Sequence, residues 1–155
     1  MDEQATALVA LLTTSYDQII DDSAAALARS HEVHYEAAGP DESRARLAVI
    51  VDLVRSCIET RDLVPMIDRA HVVANERFDA GFDIREVQRA FHVIEEAIWD
   101  RVIAETPPER LAQALGMVGT VLGAGRDALA RGYVSRASQH HVSSLDLSAL
   151  FRGGR

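Results

Sequence analysis

The sequence predicts an all-α domain: a bundle of about five helices closed by a long C-terminal one, with a globin-like arrangement as a variant. Three observations predict it. Apolar residues recur three and four apart almost throughout, the period of an amphipathic helix, and strand-type alternation is absent. Helix start and stop signals fall where that period lapses. The 155 residues are 48% apolar but only 5% aromatic, the profile of one alanine-rich helical domain.

The first predicted helix runs from about Asp2 to Arg29, with Leu8, Leu12, Tyr16, Ile19, Ile20, Ser23 and Leu27 on one stripe. The stretch His31 to Pro40 loses the period and carries Gly39-Pro40, so it reads as a loop. A second helix spans about Asp41 to Thr60 and buries Leu47, Ile50, Val51, Val54, Cys57 and Ile58. Cys57 lies inside that stripe and reads as a small buried hydrophobe. A third helix, about Leu63 to Ala80, turns Leu63, Met66, Ile67, Ala70, Ala74 and Phe78 inward. Gly81 supplies the left-handed residue that ends it. Asp83 with Glu86 three residues on is a capping box, opening a fourth helix that runs to about Glu105. Thr106-Pro107-Pro108-Glu109 reads as a second box, with Thr106 as cap and Pro107 at the first helical position. The fifth helix continues to about Ser138.

That helix carries two stripes. Leu111, Leu115, Val118, Leu122, Leu129 and Tyr133 make a near-heptad seam, which predicts a homodimer through the long helices. Beside it lie Ala112, Gly116, Gly119, Gly123 and Ala130, with Gly125 off the stripe and Gly132 near the end, where it loosens the last turn. Each interior glycine costs about 1 kcal/mol against alanine. Close backbone approach by another helix is the compensation expected. That helix lies inside the protomer or in a partner, or else a flat ligand rests on the glycines.

Residues 1–138 therefore read as a helical sensor-type domain and 139–155 as a C-terminal tail. The tail carries Leu145, Leu147, Leu150 and Phe151, much apolar surface for such a segment. It either folds back onto the bundle or docks on a protein partner.

Composition removes several function classes. The 16 basic residues are all arginine, so there is neither a Schiff-base lysine nor a phosphate-loop lysine. A net charge of −8 argues against binding nucleic acid. One cysteine permits no intramolecular disulfide, which suits a reducing cytoplasm. The start shows no basic n-region of a signal peptide, and no apolar run reaches the roughly 20 residues of a membrane span. The expectation is a cytoplasmic protein with no membrane segment.

On the fourth helix, Ile84, Val87, Phe91, Ile94, Ile98 and Val102 define the core direction. Gln88 and Glu95 fall near that direction, with His92 and Trp99 at its edge. Together they are the candidate ligand-binding flank. The alternative is that they pair with arginines of a neighbouring helix or line a dimer groove. A half-buried Glu95 titrates high unless an arginine or hydrogen bonds hold it charged. No catalytic pair, zinc signature or nucleotide fingerprint is present, and no metal site is expected. His31 and His34 read as solvated loop histidines, and His140-His141 as a soft metal contact at most. A haem alternative rests on His71, at the edge of the third helix's apolar face and followed by two long helices, as in a globin.

The run Ala70-His-x-x-x-x-Glu-Arg-Phe, then Gly81-Phe-Asp-Ile-x-Glu-Val-x-Arg-Ala-Phe, Glu96-Ala-Ile-Trp, Pro107-Pro-x-x-Leu-x-x-Ala-Leu and Ala128-Leu-Ala-x-Gly-Tyr carries a family likeness. It resembles the N-terminal sensor domain of the RsbT co-antagonist (RsbRD-type) proteins of bacterial stress signalling, over about two-thirds of the chain. The resemblance implies a helical, often dimeric input domain without catalysis of its own, acting through a protein partner, and it transfers no ligand set. Family members usually continue into an output domain. Ending at Arg155, the sequence reads as a stand-alone domain acting in trans or as a fragment. The functional expectation is a non-enzymatic regulatory module. The alternative is a haem- or small-metabolite-binding sensor.

Overall fold

The computed structural model describes residues 2–144, and these form seven helices. They are α1 (Glu3–Thr14), α2 (Tyr16–Arg29), α3 (Val33–Ala38), α4 (Pro40–Thr60), α5 (Val64–Asp79), α6 (Ile84–Glu105) and α7 (Pro108–Ser144). The all-α bundle with a long last helix is as expected, but two boundaries differ. The first predicted helix is broken at Ser15, which is buried and leaves helical geometry at φ −94°, ψ 9°. Thr13-Thr14-Ser15 are weak helix formers, and the Thr13 hydroxyl bonds back to the Val9 carbonyl at 2.8 Å. The break lets α1 rest on α4 and α7 while α2 rests on α6 and α4. The predicted loop at 31–40 contains α3, one turn and a half held by the single buried residue Tyr35. Too short to show a period, it is closed by Gly39 at φ 89°.

The core faces follow the predicted stripes. Leu12, Ile19, Leu47, Val51, Val54, Met66, Phe91, Ile94, Ile98, Leu122 and Leu129 are fully buried. α7 runs along α5 and α6, and α2 covers α6 from the other side. The near-heptad seam of α7 is spent inside the protomer: Val118, Leu122 and Leu129 are sealed from solvent against the other helices. It is therefore not a surface left for a partner.

The turn between α5 and α6 positions the polar features below. The N–H of Gly81 bonds to the Phe78 carbonyl at 3.0 Å and that of Phe82 to the Arg77 carbonyl at 2.9 Å, a Schellman closure with Gly81 at φ 84°. Asp83 then caps α6 as the sequence indicates, accepting from the Arg85 N–H at 2.8 Å, while Glu86 accepts from the Asp83 N–H at 3.2 Å. The second expected helix start is displaced. Thr106 ends α6, extended as a residue before proline must be, with its N–H on the Val102 carbonyl. α7 accordingly begins at Pro108, one residue later than expected, and it runs to Ser144, past the expected end. Among the described residues no helix is long and apolar enough to cross a membrane.

Tyr133 fastens α7 to this turn. Its hydroxyl donates to the Phe82 carbonyl at 3.1 Å. Burial raises its pKa to about 12, aided by the neighbouring Tyr35. A phenol kept neutral by the fold stabilises fully below pH 10 and loses that contribution as pH rises from about 10 to 12. Wild type should therefore lose more stability between pH 9 and 11.5 than Tyr133→Phe, by about 1–2 kcal/mol in urea unfolding. Equal losses would place the alkaline sensitivity elsewhere.

Candidate functional site

The four residues of the expected ligand-binding flank of α6 meet different surroundings. Glu95 is well buried and ion-paired with Arg126 of α7, so an arginine of a neighbouring helix has claimed it. His92 lies half exposed and pairs with Glu96 one turn on, at 3.2 Å. Gln88 is half buried, and Trp99 is 38% exposed beside the more exposed Ile103. A groove of about 590 Å³ lies elsewhere, between α1, the end of α4 and α7, bordered by Asp2, Cys57, Arg61, Gly116, Met117 and Thr120. Burial raises the Cys57 thiol pKa, with Asp62 adding to it and a backbone hydrogen bond from Met66 opposing, so the thiol is kept protonated.

His71 stands exposed on α5. The groove beside it is lined by Asn75, Arg131, Gly132, Ser135, Arg136 and Gln139. A porphyrin needs apolar walls around its ring, and these polar side chains do not fit one. Among the described residues no group of three or more His, Cys, Asp or Glu gathers to hold a metal ion. Leu145, Leu147, Leu150 and Phe151 lie outside the described residues.

The glycines of α7 divide in an unexpected way. A Cβ added at Gly116, Gly119 or Gly123 would meet nothing within 4 Å. This stripe is open, with Gly116 exposed and the other two half exposed, so no other described helix comes into contact with it. The close approaches are at Gly125 and Gly132. A Cβ at Gly125 would lie 2.9 Å from Met66 Sδ and from Phe91 Cε1, and one at Gly132 would lie 2.6 Å from Ala74 Cβ. These two glycines let α5 and α6 press against α7.

At the turn between α5 and α6, a polar and aromatic cluster has gathered around Phe82. His34 stacks on the Phe82 ring at 4.6 Å between centroids, and Tyr35 meets it edge-on at 5.3 Å. The guanidinium carbons of Arg46 and Arg77 lie 5.7 and 5.4 Å from the same ring centre. Glu86 accepts from the His34 N–H at 3.1 Å and meets its Nδ1 at 2.7 Å. Burial pushes the Glu86 carboxyl up, but the hydrogen bonds from His34 and Asp83 outweigh it and hold the pKa below the ordinary value.

Residues 17–143 match the family described as the RsbT co-antagonist protein rsbRD N-terminal domain. The chain belongs to that family. Neither a curated protein nor a solved structure matches it. The RsbRD-type domain is a regulatory unit of stress signalling, and the match takes in α2 to α7 almost entire.

Within this RsbRD-type domain the sequence reading missed the inward arginines. Arg77 is only 9% exposed, and Arg69, Val73 and Arg77 follow one another at four-residue intervals along α5. That spacing was open to view. An arginine at an inward position reads as surface because charged residues are rarely buried unless paired. The two glycines of close approach also had a signal. Val118, Gly125 and Gly132 are seven apart, so both glycines occupy the seam itself and not its flank.

Proposed function

We propose that this domain is a non-enzymatic input module that self-associates through the outward face of α7 and signals through a protein partner. The observation that carries this is the open glycine stripe. Gly116, Gly119 and Gly123 each cost about 1 kcal/mol of helix propensity, and among the described residues nothing approaches closely enough to need them. Two copies of α7 crossing at these glycines would bring their backbones together, an isologous contact suited to a two-fold dimer. Gly116 and Thr120 also border the 590 Å³ groove, which gives the partner's side chains a place beside the crossing. Leu145, Leu147, Leu150 and Phe151 follow directly on α7 and supply apolar contacts for the signalling partner.

Sedimentation velocity tests the self-association. Wild type should sediment as a dimer and Gly119→Leu as a monomer of unchanged helicity, with Gly116→Leu as a second variant. A leucine in open space does not harm the protomer, so a monomer that keeps its melting temperature supports the reading. A monomeric wild type, or variants that stay dimeric, overturns it.

A further inference from the structure

The arginines of α4 and α5 enclose a small cavity of about 20 Å³, with Tyr35 at its wall and Val73, Val87 and Ala90 completing it. That volume exceeds the 10–15 Å³ or so that one water-sized guest needs and is far too small for a metabolite. The donors around it are unusual. Arg46 Nε and Nη1, Arg69 Nε and Arg77 Nε are all buried, and among the described residues none of these nitrogens has a hydrogen-bond acceptor. The Glu42 carboxylate comes within 3.2 Å of Arg46 Nε, an ion-pair distance, but it does not lie along the N–H and is itself half exposed. Glu76 approaches Arg77 Nη1 only at 3.7 Å and is likewise half exposed. Such rim pairs contribute little. Glu86, the best-buried acid nearby, is taken by His34 and Asp83.

Three guanidiniums thus share one cavity in a protein whose net charge is −8. Buried N–H donors left without an acceptor are costly, and positive charges gathered together repel. Both costs disappear if one negatively charged acceptor sits among them. The geometry points to a binding site for a small inorganic anion, held by Arg46, Arg69 and Arg77. A chloride fills it as a single centre. A phosphate enters with one oxygen inside and the others toward Arg46 and Arg69, which are part exposed. Charge-assisted hydrogen bonds from the guanidiniums supply the affinity. The site joins α4 to α5, and through Phe82 and the Tyr133 hydroxyl it reaches α7.

The test is a melting series at constant ionic strength, replacing sodium gluconate stepwise by sodium chloride or by sodium phosphate. Gluconate is the reference anion: it is too large to enter whole, and its single charge sits beside a bulky polyol chain. Wild type should rise by about 5 °C and saturate, as binding to the folded state alone requires. The anion with the lower midpoint identifies the natural guest. Arg69→Met, which keeps an unbranched apolar stem and removes the charge, should melt at or above wild type in gluconate and lose the saturable rise. If that variant does not fold, Arg46→Gln replaces it, with the same loss expected. A wild type that responds equally to all three salts, or variants that keep the rise, overturns the proposal and leaves water as the acceptor for these donors.

Discussion

Replacing Gly132 by alanine is expected to destabilise the protein by about 1–2 kcal/mol, whereas the same change at Gly116 is expected to stabilise it by up to about 1 kcal/mol. The two substitutions are chemically identical and sit on one helix. Helix propensity favours alanine at both sites by about 1 kcal/mol. At Gly116 nothing opposes that gain. At Gly132 the new methyl would lie 2.6 Å from the Ala74 Cβ, well inside the separation of about 3.5–4.0 Å at which carbons rest. Ala74 has no rotamer through which to yield and is fully buried, so α5 and α7 must part. Overpacking of this kind costs about 1–3 kcal/mol, which outweighs the propensity gain. Gly125→Ala should fall between the two, because one of its neighbours is the flexible Met66 thioether. Urea unfolding at low protein concentration measures all three without a contribution from self-association. Equal effects at Gly116 and Gly132 would show that α5 and α7 are not in contact at that point.

This contrast also shows what was legible. Periodicity identified the buried faces of α4 and α6 because their apolar residues repeat at 3.6 and few other residues interrupt. Capping chemistry placed the start of α6 because Asp83 and Glu86 are three residues apart. What the sequence withheld were choices between partners distant along the chain. Nothing near Glu86 announces that His34, 52 residues earlier, will reach it. Nothing near Glu95 announces Arg126. The seam of α7 was read as a surface one for a related reason: which face of α7 meets another helix depends on how the whole bundle is phased, and Val118, Leu122 and Leu129 are buried inside the protomer. Of the two outcomes open for the flank of α6, Glu95 took the pairing with a cation on the next helix, an outcome the residue spacing on α6 could not fix.

Glu86→Ala is expected to cost about 2–3 kcal/mol at pH 7, a large effect for one side chain on a turn. Its carboxylate accepts from two backbone donors, the Asp83 and His34 N–H groups, and also meets His34 Nδ1. Loss of a capping side chain alone costs about 1 kcal/mol. Here the second N–H belongs to α3, so truncation also frees α3 from α6 and strands a part-buried donor, at about 1–3 kcal/mol before water relieves some of it. His34 would keep its stacking on Phe82 but lose its orienting partner. The pH dependence gives the distinctive signature. Glu86 has a folded-state pKa held below the ordinary 4.5, so its contribution is complete above that value and fades as pH falls through the folded value. The stability gap between wild type and Glu86→Ala should therefore be full at pH 6 and shrink steadily below about pH 4. Glu86→Gln, which keeps an acceptor oxygen but no charge, should lie between them and show no such fading. A gap under about 0.5 kcal/mol at pH 6, or one that persists unchanged to pH 3, would mean that water, and not this carboxylate, satisfies the donors that join α3 to the capped start of α6.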